Sequence, residues 1–195
     1  MFYICSAFKK PAILLGKPIS SIITAMQSLF AHKLGAALLT PPRLTDGKRI
    51  LIELIWLTPA FGICVLASKE MAFSPQFDSA ALRLALIAFF IPSLGEELLF
   101  RAAILPKADP SAPLPYARIA LSALLFTAWH PLQALLIEGP RAAIFMDPWF
   151  LAACGMLGIG CARLYWKSGS IWPSVLLHWL AVIGWKTLAG GPPLI

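Results

Sequence analysis

Five apolar runs follow one another along the chain, at about residues 50–68, 80–106, 116–137, 148–166 and 171–188. A transmembrane helix needs about 20 predominantly apolar residues, so each run is close to a bilayer span. Between them lie polar or Pro-rich connections: 69–79, 107–115, 138–147 and the tripeptide Ser168-Gly169-Ser170. The segment 40–49, with Pro41, Pro42 and Gly47, is expected to break any helix. Ahead of it Lys17, Gln27, His32 and Lys33 interrupt the apolar character of 18–39, which reads as a poor span or as an amphipathic helix lying at the interface. The pattern predicts an all-α, polytopic membrane bundle in one domain over 1–195. It has five transmembrane helices and, within 1–45, one or two spanning or interfacial helices.

Composition supports this reading. The chain of 195 residues is 59% hydrophobic and 13% charged, against about 45–50% and about 25% in soluble domains, which leaves no room for a separate soluble domain. The net charge of +7 is not a nucleic-acid footprint, because the basic residues are dispersed at the ends of apolar runs. Arg43, Lys48, Arg49, Lys107, Arg118, Arg163 and Lys167 fall on alternate connections and outnumber Lys69, Arg83, Arg141 and Lys186, so the first set is expected to be cytoplasmic. Lys9, Lys10 and Lys17 join that side if residues 1–40 cross twice or not at all. Cys5, Cys64, Cys154 and Cys161 form no CxxC pair and read as packing residues. The first 15 residues lack the order of a secretory signal and are read as retained.

The second run holds Glu96, Glu97 and Arg101. Ionisable groups inside a span are costly and mark a functional site by default. Glu97 and Arg101 are four residues apart and can pair on one helix face, whereas Glu96 is rotated by about 100° and needs partners from elsewhere. At about 1.5 Å per residue from the cytoplasmic connections, Glu96 lies about 16 Å deep, His130 about 18 Å and His178 about 12 Å. Three separate spans thus carry titratable groups to nearly one level. Each alone has a plain structural reading, as a packing histidine or a structural ion pair. Together they can activate water, since a carboxylate in a low-dielectric site is a stronger base than in water and a nearby imidazole can hold that water. Pro92 and Pro131 can kink their spans beside these residues. Trp129, Trp179 and Trp185 flank the histidines, either lining a groove or packing, and Cys154, Gly158 and Ala162 recur every four residues as a seam for close helix contact.

The motifs Glu96-Glu97-x-x-x-Arg101, Phe126-x-x-x-His130 and His178 on a last span introduced by Ser-Gly-Ser-Ile-Trp-Pro, in that order, resemble those of the CAAX-type, bacteriocin-processing (CPBP or ABI) family of intramembrane endopeptidases. The similarity covers about residues 80–190, which would be the catalytic core. The resemblance implies Glu96 as the base that activates water, His130 as its positioning partner and His178 as the stabiliser of the oxyanion. Glu97, Arg101 and Phe126 would be supporting. It implies no metal and no cofactor; the alternative is a zinc ion on Glu96, His130 and His178, a donor set that suits an open catalytic site. The last motif usually reads HxxxN or HxxxD, but here Val182 stands four residues after His178 and cannot donate. Ser174, one turn before His178, is a candidate substitute.

The function expected from this resemblance is hydrolysis of a peptide bond in a membrane-associated or C-terminally tagged protein, in a bacterial cytoplasmic membrane. The partners are the peptide substrate and the bilayer, with no nucleic acid; the oligomeric state is not fixed by the sequence. Two other readings remain open: a non-catalytic membrane immunity or scaffold protein of the same fold, and a small transporter, against which the absence of an internal repeat counts.

Overall fold

The computed structural model describes residues 19–77, 79–106, 111–136 and 140–191. Cys5, Lys9, Lys10, Lys17, the N-terminal segment read as retained and Lys107 lie outside the described residues. The described chain is all-α: α1 Ile19–Leu39, α2 Leu44–Ala67, α3 Ser79–Ala88, α4 Gly95–Glu97, α5 Tyr116–Ala134, α6 Pro148–Ser168 and α7 Trp172–Leu188. π-helical segments Phe89–Leu94 and Leu98–Ala103 flank α4, and a 3-10 helix, Pro140–Met146, precedes α6.

Local chemistry explains most of the boundaries. The expected linker over 40–49 is shorter than its composition suggests, because α2 starts at Leu44. Asp46, in its first turn, accepts from the Arg43 backbone N–H at 2.7 Å and pairs with the Arg49 guanidinium. A carboxylate there satisfies an orphan donor and sits well in the helix dipole. Asp147 caps α6 by accepting from the Trp149 and Phe150 N–H groups, at 3.0 and 2.8 Å, with Pro148 at the first helical position. Gly169 ends α6 at φ 73°, a left-handed conformation that glycine adopts without a Cβ penalty. At the end of α7, the Thr187 and Leu188 carbonyls accept from the Gln76 and Ser74 N–H groups at 2.7 and 2.8 Å.

The central helix is α6, packed against α5, α2 and α7. The small-residue seam has a measurable reason: a Cβ on Gly158 would lie 3.1 Å from Ala123 Cα and 3.3 Å from the Phe126 ring, so α5 and α6 approach at backbone distance. Across α6, buried Glu53 of α2 pairs with Arg163 at 3.2 Å and accepts from Trp56 Nε1 at 2.7 Å. Two apolar clusters fill the interior, one around Leu57, Phe100, Phe126, Phe150 and Leu157, the other around Leu105, Ile119, Tyr165, Ile171 and Val175. Cys64, Cys154 and Cys161 are free and buried.

Large apolar side chains on α2, such as Leu51, Ile55, Ile63 and Leu66, and on α5, such as Leu121 and Leu124, face outward. Such faces need an apolar surrounding. Only two of the described helices, α2 and α6, are both long and apolar enough to cross a membrane, against the five expected from the sequence. The run at 80–106 is not one helix but is broken at Ile91 (φ −133°, ψ 112°), next to a cis Ile91–Pro92 bond. The last helix, α7, has 17 residues. In α5 the helix continues through Pro131 to Ala134.

Residues 18–39, read as a poor span or an interfacial helix, form α1 from Ile19. Lys33 anchors α1 by donating to the Ala103 and Leu105 carbonyls, both at 3.3 Å, at the end of the glutamate-bearing segment. At the other end, the Leu38 and Thr40 carbonyls accept from Trp172 Nε1 at 3.0 Å and Ser170 Oγ at 2.7 Å. The Ser-Gly-Ser-Ile-Trp-Pro turn therefore holds the N-terminal helix.

Candidate active site

Consecutive glutamates point in different directions, as the helical rotation requires. Glu96 borders a cavity, while Glu97 is fully buried and faces α7. The main chain that carries them is irregular on both sides, and neighbours satisfy part of it: Ser122 Oγ of α5 donates to the Phe100 carbonyl at 2.7 Å. Pro92 brings no N–H to the turn, so the break at Ile91 is placed where a helix hydrogen bond is already missing.

His178 sits between the two carboxylates. Its Nδ1 is 3.0 Å from Glu97 Oε1, and its Nε2 is 3.8 Å from Glu96 Oε2. The other oxygen of Glu97 lies 3.1 Å from Arg101 Nε, so the expected (i, i+4) pair forms with both side chains fully buried. The far oxygen of Glu96, Oε1, accepts from Trp129 Nε1 at 3.2 Å and from Gln133 Nε2 at 3.4 Å. Glu96 is thus held at Oε1, and Oε2 has no hydrogen-bond partner among the described residues.

His130 Nδ1 lies 2.9 Å from the Phe126 carbonyl. A carbonyl only accepts, so this nitrogen carries the proton and a neutral ring keeps a lone pair on Nε2. Phe126 joins the parts: its ring is 5.0 Å from the His130 ring and 5.4 Å from the His178 ring, and Arg101 Cζ stands 4.7 Å from its centroid. One aromatic side chain spaces both imidazoles and covers the buried guanidinium.

Glu96, His130 and His178 line one cavity of about 1070 Å³ together with Phe126. Its walls are mostly apolar side chains of α2, α5, α6 and α7, and Ile91 and Phe90 at its rim are exposed. Val182 is on the wall, where it presents methyl groups and no donor. Ser174 is turned elsewhere: its hydroxyl donates to the Cys161 carbonyl at 2.8 Å, and it is fully buried and not in the cavity lining. Of the three tryptophans, Trp129 and Trp185 line the cavity, whereas Trp179 donates to the Ala85 carbonyl at 2.7 Å and packs on Phe89.

The sequence reading passed over Gln133, which lies one turn beyond Trp129 and His130. A primary amide on an apolar helix, three residues after a histidine, was the available signal. The contact between Glu97 and His178 had no such signal, because 81 positions separate them.

Among the described residues no three His, Cys, Asp or Glu side chains are grouped to hold a metal ion.

Neither the curated proteins nor the solved structures provide a match to this chain. A family model, that of the type II CAAX prenyl endopeptidases described as Rce1-like, matches residues 78–183, more than half of the chain and a range that includes Glu96, His130 and His178. The chain belongs to this Rce1-like family of membrane-embedded proteases.

Proposed function

We propose that this protein is an intramembrane endopeptidase in which Glu96 activates a water molecule against a peptide carbonyl. The observation that carries the reading is the arrangement at Glu96: one oxygen is held by two donors, and the other faces His178 Nε2 at 3.8 Å. That gap is too long for a direct hydrogen bond, so Glu96 Oε2 has no partner among the described residues and is left for the reacting water.

The water gives one hydrogen bond to Glu96 Oε2 and one to His130 Nε2, leaving a lone pair for the substrate. As its oxygen bonds to the carbonyl carbon, a proton passes to Glu96 and the C=O π pair moves onto the oxygen. His178, protonated at both ring nitrogens, gives Nδ1–H to Glu97 and Nε2–H to that oxyanion. With Glu96 protonated, the Glu97 carboxylate and the oxyanion are balanced by Arg101 and the imidazolium, which suits a site of low dielectric. When the C–N bond breaks, Glu96 returns its proton to the leaving nitrogen. No step passes through a metal.

The apolar cavity suits a substrate presented from the membrane, and its exposed rim at Phe90 and Ile91 would be the lateral entrance. We further propose that α1, α5, α7 and the broken segment around α4 complete a multi-pass bundle in a bacterial cytoplasmic membrane, with Arg43, Lys48, Arg49, Lys107, Arg118, Arg163 and Lys167 on the cytoplasmic side. The substrate is a protein or peptide cut near its C-terminus.

Mass spectrometry of membrane peptides from cells carrying the wild-type or the Glu96→Gln protein tests the reading. An uncleaved peptide should accumulate with Glu96→Gln. Val182, which removes a family donor, favours a second reading, a non-catalytic scaffold of the same fold. A scaffold predicts the same peptides in both cell lines and an unchanged phenotype.

A further inference from the structure

Val182 leaves the tetrahedral intermediate one donor short, and Ser174 is committed to the Cys161 carbonyl. The missing donor must lie close to the base, because the attacking oxygen and the oxyanion are bonded to the same carbon. Gln133 meets that condition. It lines the cavity, and its Nε2 is 3.4 Å from Glu96 Oε1. A carboxylate only accepts, so the amide turns its NH₂ end toward the reacting centre, and that group has two protons to give. The contact with Glu96 is long, and Trp129 Nε1 already holds the same oxygen at 3.2 Å. Glu96 therefore does not need both donors, and the Gln133 amide is available to the substrate.

We infer that Gln133, on α5, supplies the oxyanion donor that the chain lacks at position 182 on α7; this rests on the glutamate–water reading above. The amide donor has moved from one wall of the cavity to another, and hydrogen bonding to the oxyanion comes from His178 on one side and Gln133 on the other. The remaining candidate, Trp185, also lines the cavity with an indole N–H that has no partner among the described residues. Its ring, however, packs against Phe150 at 4.8 Å and Phe145 at 6.5 Å rather than on Glu96.

The test measures hydrolysis of an internally quenched, farnesylated peptide with a C-a-a-X terminus by the full chain in liposomes. The variants are Gln133→Leu, Gln133→Glu, Val182→Asn, the double variant Gln133→Leu/Val182→Asn, Trp185→Phe and Glu96→Gln. Loss of one oxyanion donor costs about 10²–10³ in rate. Gln133→Leu and the isosteric Gln133→Glu should each lose that factor in kcat with KM changed less than about threefold, with the pH profile of Gln133→Leu in place, while the double variant regains at least about tenfold by returning an amide to α7. A kcat within about twofold of wild type for both Gln133 variants overturns the inference, as does a loss that falls on Trp185→Phe instead. A displaced pH profile in Gln133→Leu also overturns it, since that marks a residue acting through Glu96. Glu96→Gln separates the two claims: if it stays active the glutamate–water reading fails, and if it is inactive while the Gln133 variants are not, only the inference fails.

Discussion

His178 Nδ1 lies 3.0 Å from Glu97 Oε1, joining the last helix to the second glutamate of the pair across 81 positions of sequence. The same carboxylate meets Arg101 at 3.1 Å. Glu97 is therefore more than half of an ion pair holding one segment in register: it fixes the orientation of His178 and compensates a buried cation at once.

Removing Glu97 should cost both stability and rate. Glu97→Ala leaves Arg101 buried and unpaired, and breaking a buried pair on one side costs about 3–5 kcal/mol. Glu97→Gln keeps an acceptor for His178 Nδ1 but not the charge, so its loss should be the smaller of the two. Denaturation in detergent micelles and kcat on the same samples check this. Equal stability of Glu97→Ala and wild type would contradict it.

The contact between α5 and α6 is made at backbone distance, so added volume at Gly158 presses on Ala123 and on Phe126, whose ring packs against His130. Gly158→Val should destabilise by about 1–3 kcal/mol, because a Cβ there meets Ala123 Cα at 3.1 Å. It should also lower kcat, although Gly158 is not in the cavity lining. Thermal unfolding together with activity reads the two effects; a normal rate in a destabilised variant would mean that this contact does not position the site.

Lys33 ties α1 to the Ala103 and Leu105 carbonyls. Lys33→Met should cost about 0.5–1.5 kcal/mol per lost hydrogen bond and loosen α1 from the bundle. Limited proteolysis in liposomes should then cut between α1 and α2 faster than in wild type. Unchanged proteolysis would show that the Ser170 and Trp172 contacts hold α1 alone.

Much of the layout was legible in the sequence, because apolar runs and Pro-rich connections are local signals. The starts of α5 and α6 and the pairing of Glu97 with Arg101 follow from spacing alone. Counting residues at a fixed rise puts Glu96, His130 and His178 at nearly one expected depth, and the structure has the three bordering one cavity. What spacing could not give is the break at Ile91, since a proline in a membrane run is compatible with either a kink or a through-going helix, and α5 takes the second course at Pro131. Composition also overstated the linker at 40–49, where Asp46 turns a polar stretch into a helix start. Ser174 was selected because it shares a helix face with His178, but a buried hydroxyl takes the nearest carbonyl, which belongs to Cys161.

Isotope labelling of the hydrolysis product tests the central role of Glu96 most directly. In H₂¹⁸O, wild-type protein in liposomes should place one ¹⁸O in the new C-terminal carboxylate of the farnesylated peptide, and Glu96→Gln, which keeps the shape but not the base, should lower the labelling rate by about 10²–10⁴. Labelling at the wild-type rate by Glu96→Gln would contradict the assignment of Glu96 as the group that activates water.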